Sequence, residues 1–286
     1  ARVHVRRAEW NKAEAILNDE LDSIAKLGLT TVRAPLLGLL GSIQSLKGDT
    51  ATARTTFAES EQHYRATGDT EGARMALLSQ ARLLAESGAP QQAIVSLDWL
   101  LESMSERESG SPVLRAEVLS ARAAVNVLLG ELARAENDAS LALAAFQHAD
   151  FQMSAIAAEV LLHRIDMRRT RMGQISSDCR WVEKLRPLCE GAAKLEAPAC
   201  KLMADLGLGE AHWMDGDSTS AEADLNEAFE RAGRLSFAEG QALAVELLAL
   251  VKDDPEIARE AVERWEAMGA SGRAALVRSD WGILES

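Results

Sequence analysis

Residues Met214–Phe229 read MDGDSTSAEADLNEAF, and this stretch is compatible with two different structures. Asp215, Asp217 and Thr219 occupy the first, third and fifth places of a calcium-binding loop, in which alternate oxygens converge on one cation. The same letters are also typical of a turn between two helices, with a glycine at the turn and a capping residue after it. The choice decides whether this segment is a metal site or one junction in a helical array.

The remaining letters of the stretch favour the turn. A calcium loop needs glycine at its sixth place and a bidentate glutamate at its twelfth, but these places hold Ser220 and Asn226. The turn needs a glycine to end the first helix, which is Gly216, and an N-cap for the second helix, which Asp217 or Ser218 can provide. We therefore predict a helix–turn–helix junction without a bound metal.

Similar junctions recur along the chain. Each copy starts with a small or turn-forming residue, and in most copies an alanine follows five places later. The turn positions are Ala8, Gly48, Gly88, Gly130, Gly173, Gly216 and Asp253. Their successive spacings are 40, 40, 42, 43, 43 and 37 residues. Self-similarity at such a period is typical of repeat arrays.

One period accommodates two helices and two short loops, because a helical hairpin needs only about 2 to 8 connecting residues. A small residue on the second helix allows close approach to the first, and a larger apolar residue follows four places later on the same helix face in most copies. The small residues are Ala13, Ala53, Ala93, Ala135, Ala221 and Ala258, and the larger ones are Leu17, Phe57, Leu97, Val182, Leu225 and Val262. Aromatic residues make up only 4% of the chain, which also favours helix over sheet.

The pattern divides the chain into one repeat domain, 1–286. We expect units near 1–28, 29–68, 69–110, 111–149, 150–193, 194–233 and 234–270, followed by a closing helix at 271–284. Only residues 1–7 precede the first turn, so unit one lacks its first helix. Because terminal repeats normally carry a polar cap, we expect a fragment of a longer chain that has other domains.

This pattern resembles the tetratricopeptide repeat (TPR). The residues that match it best are Leu37, Leu40, Gly41, Gly48, Ala53 and Phe57, and again Leu208, Gly209, Gly216, Ala221, Leu225 and Ala228. The resemblance implies an all-α fold, a right-handed superhelical array of about seven antiparallel helix pairs. Since the period exceeds the usual 34 residues, the chain is also similar to the long-repeat sensor domains of maltose-regulator-like LuxR-type and STAND regulators.

Charge and composition restrict the kinds of partner that this chain can bind. The formal charge is −13 and the isoelectric point is about 5.0, whereas nucleic-acid binding needs a positive surface. We therefore expect no direct nucleic-acid binding by this segment. No apolar run approaches the length of a membrane span, and three cysteines match neither a zinc nor a redox spacing. These features predict a cytoplasmic protein with reduced thiols and no membrane contact.

Enzyme signatures are absent from the sequence. It contains no GxxxxGK[ST], HExxH or GxSxG motif. The five histidines are scattered among different units, so the sequence pairs none of them with a catalytic partner. We predict a non-catalytic domain with no cofactor and no metal.

Stacked hairpins provide a concave surface that is lined by the first helix of each unit. Alignment to the repeat predicts the groove-facing positions Arg82, Glu117, Ser120, Val127, His163, Met167, Glu210 and Trp213. An arginine there can pair with a carboxylate or phosphate, and an aromatic residue can stack on a ligand. The alternative is that Trp213 packs between helices and Arg82 lies along its own helix.

Unit five carries a basic segment inside an acidic chain. Its candidate basic patch consists of Arg164, Arg168, Arg169 and Arg171. Spacings of three and four residues are typical of a solvated helix face, which is the favoured interpretation. The main alternative is a contact with an acidic protein partner, and a phosphorylated ligand or nucleic acid is a further one.

These features point to binding. We expect a non-catalytic repeat domain that binds a protein, a peptide or a small effector on its concave face, within a larger signalling or transcription regulator. The alternative is a structural scaffold subunit whose surfaces are occupied by other members of a multiprotein complex.

Overall fold

The structure is a computed structural model, and it describes His4 and residues 9–104, 111–176 and 180–283. Within these residues the regular structure is entirely helical. The fourteen α-helices are α1 (Trp10–Leu27), α2 (Arg33–Leu46), α3 (Thr50–Thr67), α4 (Thr70–Glu86), α5 (Pro90–Ser103), α6 (Pro112–Leu128), α7 (Leu132–His148), α8 (Gln152–Arg171), α9 (Trp181–Lys194), α10 (Pro198–Met214), α11 (Ser218–Arg234), α12 (Ala238–Lys252), α13 (Pro255–Ala267) and α14 (Ser271–Trp281). A 3₁₀ turn at Thr30–Val32 precedes α2.

The helices form an array of antiparallel pairs, which confirms the all-α prediction. Each even-numbered helix from α2 to α12 is the first helix of a pair, and the odd-numbered helix that follows packs against it. Successive even-numbered helices from α2 to α12 also pack side by side and form the inner wall. Helix α1 precedes the six complete pairs and α14 follows them.

The predicted turn glycines end the first helices of their units. Gly48, Gly88, Gly130, Gly173 and Gly216 have φ angles between 68° and 90°, a left-handed conformation that glycine adopts without steric cost. Asp253 has the same role in the last pair, with a φ of 52°. The first predicted turn residue, Ala8, lies outside the described residues.

The stretch 214–229 is a helix junction, as predicted. The Asp217 side chain caps α11 by accepting a hydrogen bond from the Ser220 amide at 3.0 Å. Asp215 has a role that the repeat pattern does not indicate: its two carboxylate oxygens accept from the amides of Trp181 and Val182, each at 3.0 Å. Asp215 therefore caps α9, and both aspartates are satisfied without a cation.

Close helix packing explains the small residues of the repeat. The six alanines of the second helices, from Ala13 to Ala258, are completely buried. On the first helix, a methyl group at Gly41 would come within 2.8 Å of the Phe57 ring, and one at Gly209 within 2.7 Å of Leu225. These distances are too short for a side chain, so glycine allows the paired helices to approach each other.

The last helix of the array folds back onto earlier units. Helix α14 returns to pack against α4 and α6. A Cβ atom at Gly272 would lie 2.4 Å from the carbonyl oxygen of Ala85, so α14 contacts the end of α4 without an intervening side chain. The Thr50 hydroxyl donates to the carbonyl oxygen of Met268, which joins the start of α3 to the last loop. Closing helix α14 ends at Trp281, earlier than the expected residue 284, which lies outside the described part.

Two sequence expectations concern thiols and membranes. Cys189 and Cys200 form no disulfide, and Cys179 lies outside the described residues. None of the helices in the described ranges is long and apolar enough to cross a bilayer.

Candidate functional site

A cavity of about 280 Å³ lies inside the curve of the array. Its wall is built by the even-numbered helices α4, α6, α8, α10 and α12, together with α14 and Trp265 of α13. Because α14 crosses from the last unit to α4 and α6, it closes part of what would otherwise be an open groove. The site is therefore a partly enclosed pocket on the inner wall.

Much of the cavity wall is apolar. The larger apolar side chains come from α8, α10, α12 and α14, and they include Leu161, Met203, Leu243, Leu247, Leu250 and Trp281. A mostly apolar wall with a few placed polar groups is the usual character of a small-molecule site.

Five arginines line the cavity, and each donates to a carboxylate. Glu210, which is 2% exposed, accepts from Arg164 at 2.8 Å and from Arg171 at 2.9 Å. Burial by itself would raise the pKa of Glu210, but the two guanidinium groups outweigh it and hold that pKa below its usual value. Glu210 is thus a buried anion that fixes two arginines of α8.

A second carboxylate–arginine pair joins α12 to α14. Arg273 donates to both oxygens of Glu246, at 3.0 and 2.6 Å. The indole nitrogen of Trp265 donates to the same carboxylate at 3.1 Å. This forked geometry orients both groups and seats α14 against the array.

The other two arginines also have partners. Arg168 on α8 donates to Asp280 on α14 at 2.9 Å, which holds the far end of the closing helix. Arg82 on α4 donates to Glu117 on α6 at 2.8 Å. The five arginines of the cavity are therefore held in position by ion pairs with other residues of the chain.

Two further carboxyl groups, those of Glu86 and Glu239, also line the cavity, but they are not paired with any arginine that the structure describes. Neither makes a hydrogen bond or an ion pair with any residue in the described ranges. Burial, followed by the nearby charge of Glu239, raises the pKa of Glu86 to about 8. Burial likewise raises the pKa of Glu239. At neutral pH Glu86 is therefore largely protonated, unlike an ordinary glutamate.

The structure brings several of the sequence-predicted residues together. Arg82, Glu210 and Val127 line the cavity, and Glu117 pairs with Arg82 at its edge. Of the candidate basic patch, Arg164, Arg168 and Arg171 also line it.

Five predicted residues lie elsewhere, and one of them is Ser120 of α6, which does not line the cavity. Met167 is completely buried in the core between α8, α9 and α10, which corrects its expected place on the groove. His163 faces α9, with its ring centroid 6.4 Å from that of Trp181. Trp213 lies outside the cavity wall and packs under the Arg171 guanidinium at 5.5 Å. Arg169 turns away from the cavity and donates to Glu136 on α7.

The favoured interpretation of the basic segment as a solvated helix face is wrong. The side chains of Arg164, Arg168, Arg169 and Arg171 are only 14 to 23% exposed, and each pairs with a carboxylate. The spacing of three and four residues places them on the sides of α8 that face other helices. Neighbouring acidic side chains thus neutralise the local excess of positive charge.

Sequence reasoning missed Glu86, Glu239, Glu246 and Arg273. A usable signal existed for Glu246, because it is a lone charge inside the apolar inner-helix segment ALAVELLALV. Lone charges in such helices are costly unless they are paired or face a cavity. For the other three the sequence carried no local signal, since their roles depend on helices that are distant in the chain.

Comparison with solved structures identifies the fold. A Rap protein complexed with competence and sporulation factor matches 92% of this chain and 74% of its own, with a TM-score of 0.59 and 16% identity. A STAND protein with a tetratricopeptide repeat sensor from Pyrococcus horikoshii matches 95% of this chain, with a TM-score of 0.53 and 12% identity. This chain spans 43% of the length of that STAND protein.

No protein-family model matches the sequence, and a search of curated proteins finds no significant match. Similarity at these identities shows the fold and does not transfer a ligand or an activity. The helix pairs, the turn glycines and these structural neighbours together identify the chain as an all-α array with the tetratricopeptide-repeat fold.

Proposed function

We propose that this chain is a non-catalytic sensor or interaction domain that binds a short peptide or a small effector in the internal cavity. The observation that carries the proposal is the cavity itself, about 280 Å³ between the inner helices, with an apolar wall and a fixed set of charged groups. Concave, mostly apolar pockets with a few convergent polar groups are the usual ligand sites of proteins.

Helix α14 gives the site a way to transmit binding. It contributes Arg273, Asp280 and Trp281 to the wall and is held to the inner helices by two ion pairs. A ligand that contacts α14 and the inner helices together favours one seating of α14 over others, and only such a difference shifts a conformational equilibrium. In a longer parent protein, that shift would reach a neighbouring signalling or transcription-regulating domain.

The two structural neighbours support this proposal. One is a Rap protein complexed with competence and sporulation factor, and the other is a STAND protein whose repeats are a sensor. Both carry the same fold as this chain, and a ligand-responsive role is consistent with them. The expected partners are a peptide or protein segment, or a small effector, together with other domains of the parent chain.

Filling the cavity tests the proposal. Ala124 lines the cavity with an exposed methyl group, so Ala124→Trp occupies the space without entering the core. We expect hits from a screen of short peptides and metabolites, detected by ligand-observed NMR, to bind this variant at least about tenfold more weakly than the wild type. Ala124→Ser is the matched control and should retain binding. Hits that bind Ala124→Trp unchanged would place the ligand site elsewhere.

A scaffold role is the second candidate, and the outer helix α5 favours it. Val95 and Trp99 lie one helical turn apart and are 66% and 53% exposed. Exposed apolar side chains on one helix face are typical of a protein contact. A photo-crosslinking residue at position 99 would then give one discrete adduct in cells, whereas one at the exposed position 230 would not. A smear or no adduct at position 99 contradicts the scaffold role.

A further inference from the structure

We propose that the cavity ligand carries a cationic amino or guanidino group, which pairs with Glu86 and Glu239, and an apolar body that lies along α12. This inference rests on the proposed ligand-binding function and specifies the ligand chemistry. Its basis is the pair of carboxyl groups that have no partner among the described residues of the cavity.

Within the part of the chain that the structure describes, the arginines of the cavity are paired, whereas two of its glutamates are not. Each of the five cavity arginines donates to a carboxylate of the chain at 2.6 to 2.9 Å, so each positive charge already has an internal counter-charge. Glu86 and Glu239 are the two cavity carboxyls without such a partner among the described residues. An anionic ligand would compete with the internal carboxylates for these arginines, whereas a cationic ligand would pair with carboxyl groups that have no partner in the described ranges.

The C-terminal end of α4 favours a cation at the same place, whereas the N-terminal end of α12 does not. Glu86 is the last residue of α4, where the unpaired carbonyl groups give the helix end a partial negative charge. Glu239 lies in the first turn of α12 and faces the same cavity. A bound ammonium or guanidinium would therefore meet two carboxyls and one helix C-terminus.

The apolar part of the ligand would lie on a row of leucines on α12. Glu239, Leu243, Leu247 and Leu250 all line the cavity and follow each other at helical spacing on one face of α12. At about 1.5 Å per residue, this stripe extends roughly 16 Å from the carboxyl end of the site. A ligand with its cation at Glu239 can thus lay an apolar body of similar length on the three leucines.

Binding of a cation should release a proton. The charged groups that face Glu86 are Glu239 on α12, Arg82 on α4 and Arg273 on α14, and those that act on Glu239 include Arg273 and Arg164 on α8. Because the pKa of Glu86 is about 8 in the empty cavity, this carboxyl is largely protonated at neutral pH. A ligand cation stabilises the ionised form, so its affinity should rise as the pH increases from 6.5 to 8.5.

The test uses three probes that share one apolar body. They are 3-phenylpropylamine, 3-phenylpropan-1-ol and 3-phenylpropanoate, whose affinities are measured by titration calorimetry and saturation-transfer NMR at pH 8.5. We expect the amine to bind the wild type at least about tenfold more tightly than the alcohol or the acid, as one to two charge-assisted hydrogen bonds would give. Only the amine should show proton release and tighter binding at high pH.

Two double variants locate the effect. E86Q/E239Q should remove the preference for the amine and leave alcohol binding unchanged. E71Q/E230Q is the matched control, because it removes two glutamates that are exposed and lie outside the cavity. This control should retain the preference. If E86Q/E239Q does not fold, the charge series and the pH dependence of the wild type decide the outcome.

The two proposals fail in different ways. If the alcohol or the acid binds as well as the amine, the ligand is not cationic. If E86Q/E239Q keeps the preference, Glu86 and Glu239 do not hold the cation. In either case this inference fails while the cavity remains a binding site. If Ala124→Trp does not weaken binding of these probes, or if none of them binds, the cavity is not the ligand site. In that case the proposed function and this inference both fail.

Discussion

Arg273 and Glu246 form a forked ion pair, with nitrogen–oxygen distances of 3.0 and 2.6 Å, at the point where the last helix meets the inner wall. The pair joins α12 to α14, and the Trp265 indole donates to the same carboxylate. It therefore connects the core of the last repeat, the closing helix and the cavity wall in one contact.

Removing one partner of this pair should destabilise the protein strongly. In Arg273→Leu, Glu246 keeps only the Trp265 hydrogen bond and becomes a buried charge without a cation, which costs about 3–5 kcal/mol of unfolding free energy. The matched control is Arg259→Leu on α13, whose exposed pair with Glu256 is expected to contribute less than about 1 kcal/mol. Urea unfolding measures both variants, and equal losses would contradict the role of the Arg273–Glu246 pair.

A single methyl group should loosen the closing helix. In Gly272→Ala the new Cβ would stand 2.4 Å from the Ala85 carbonyl oxygen, so α14 has to move away from α4. We expect a loss of about 1–3 kcal/mol and faster hydrogen exchange confined to α14. Gly38→Ala, with its nearest atom at 3.5 Å, is the control and should be neutral or stabilising. Unchanged exchange of α14 in Gly272→Ala would argue against the tight contact.

Stability should fall as the pH rises toward 8, in part because of Glu86. Its folded pKa of about 8 lies above the usual value near 4.5, so its contribution is complete at low pH and is lost as pH rises through the folded value. The loss from this group can reach about 1.4 kcal/mol per pH unit. Glu86→Gln should flatten the curve between about pH 4.5 and 8 and be more stable than wild type at pH 9. Glu71→Gln should follow the wild type, and a Glu86→Gln curve parallel to wild type would refute the prediction.

The two aspartates of the stretch 214–229 should act as helix caps and not as metal ligands. Asp215→Ala removes two hydrogen bonds to the first turn of α9 and should cost about 1–2 kcal/mol. Asp22→Ala, on an exposed position of α1, serves as the control and should change little. Millimolar calcium should leave the melting temperature of the wild type unchanged. A calcium-dependent increase that Asp215→Ala abolishes would restore the metal-site interpretation.

The local features of the fold were predictable because they depend on short spacings. Turn glycines such as Gly216 need a left-handed backbone, and alanines such as Ala221 need a close helix neighbour, and both requirements repeat every 40 or so residues. The inner position of Arg82 and Glu210 followed from the same register. Met167 did not follow it: its side chain points into the core between helices, because register alone does not specify the direction on a long helix.

The amino-acid sequence by itself determined the helix pairs, their turns and the inner wall, since each depends on residues within one repeat and on periodic burial of one helix face. Only the tertiary structure decided where the array closes. Small rotations between successive units add up over the chain, and their sum brings α14 back to α4 and α6. That closure brings Arg168 to Asp280, 112 residues away in the chain, and makes a pocket of the open groove. No local pattern records such a contact, because its two sides belong to different repeats.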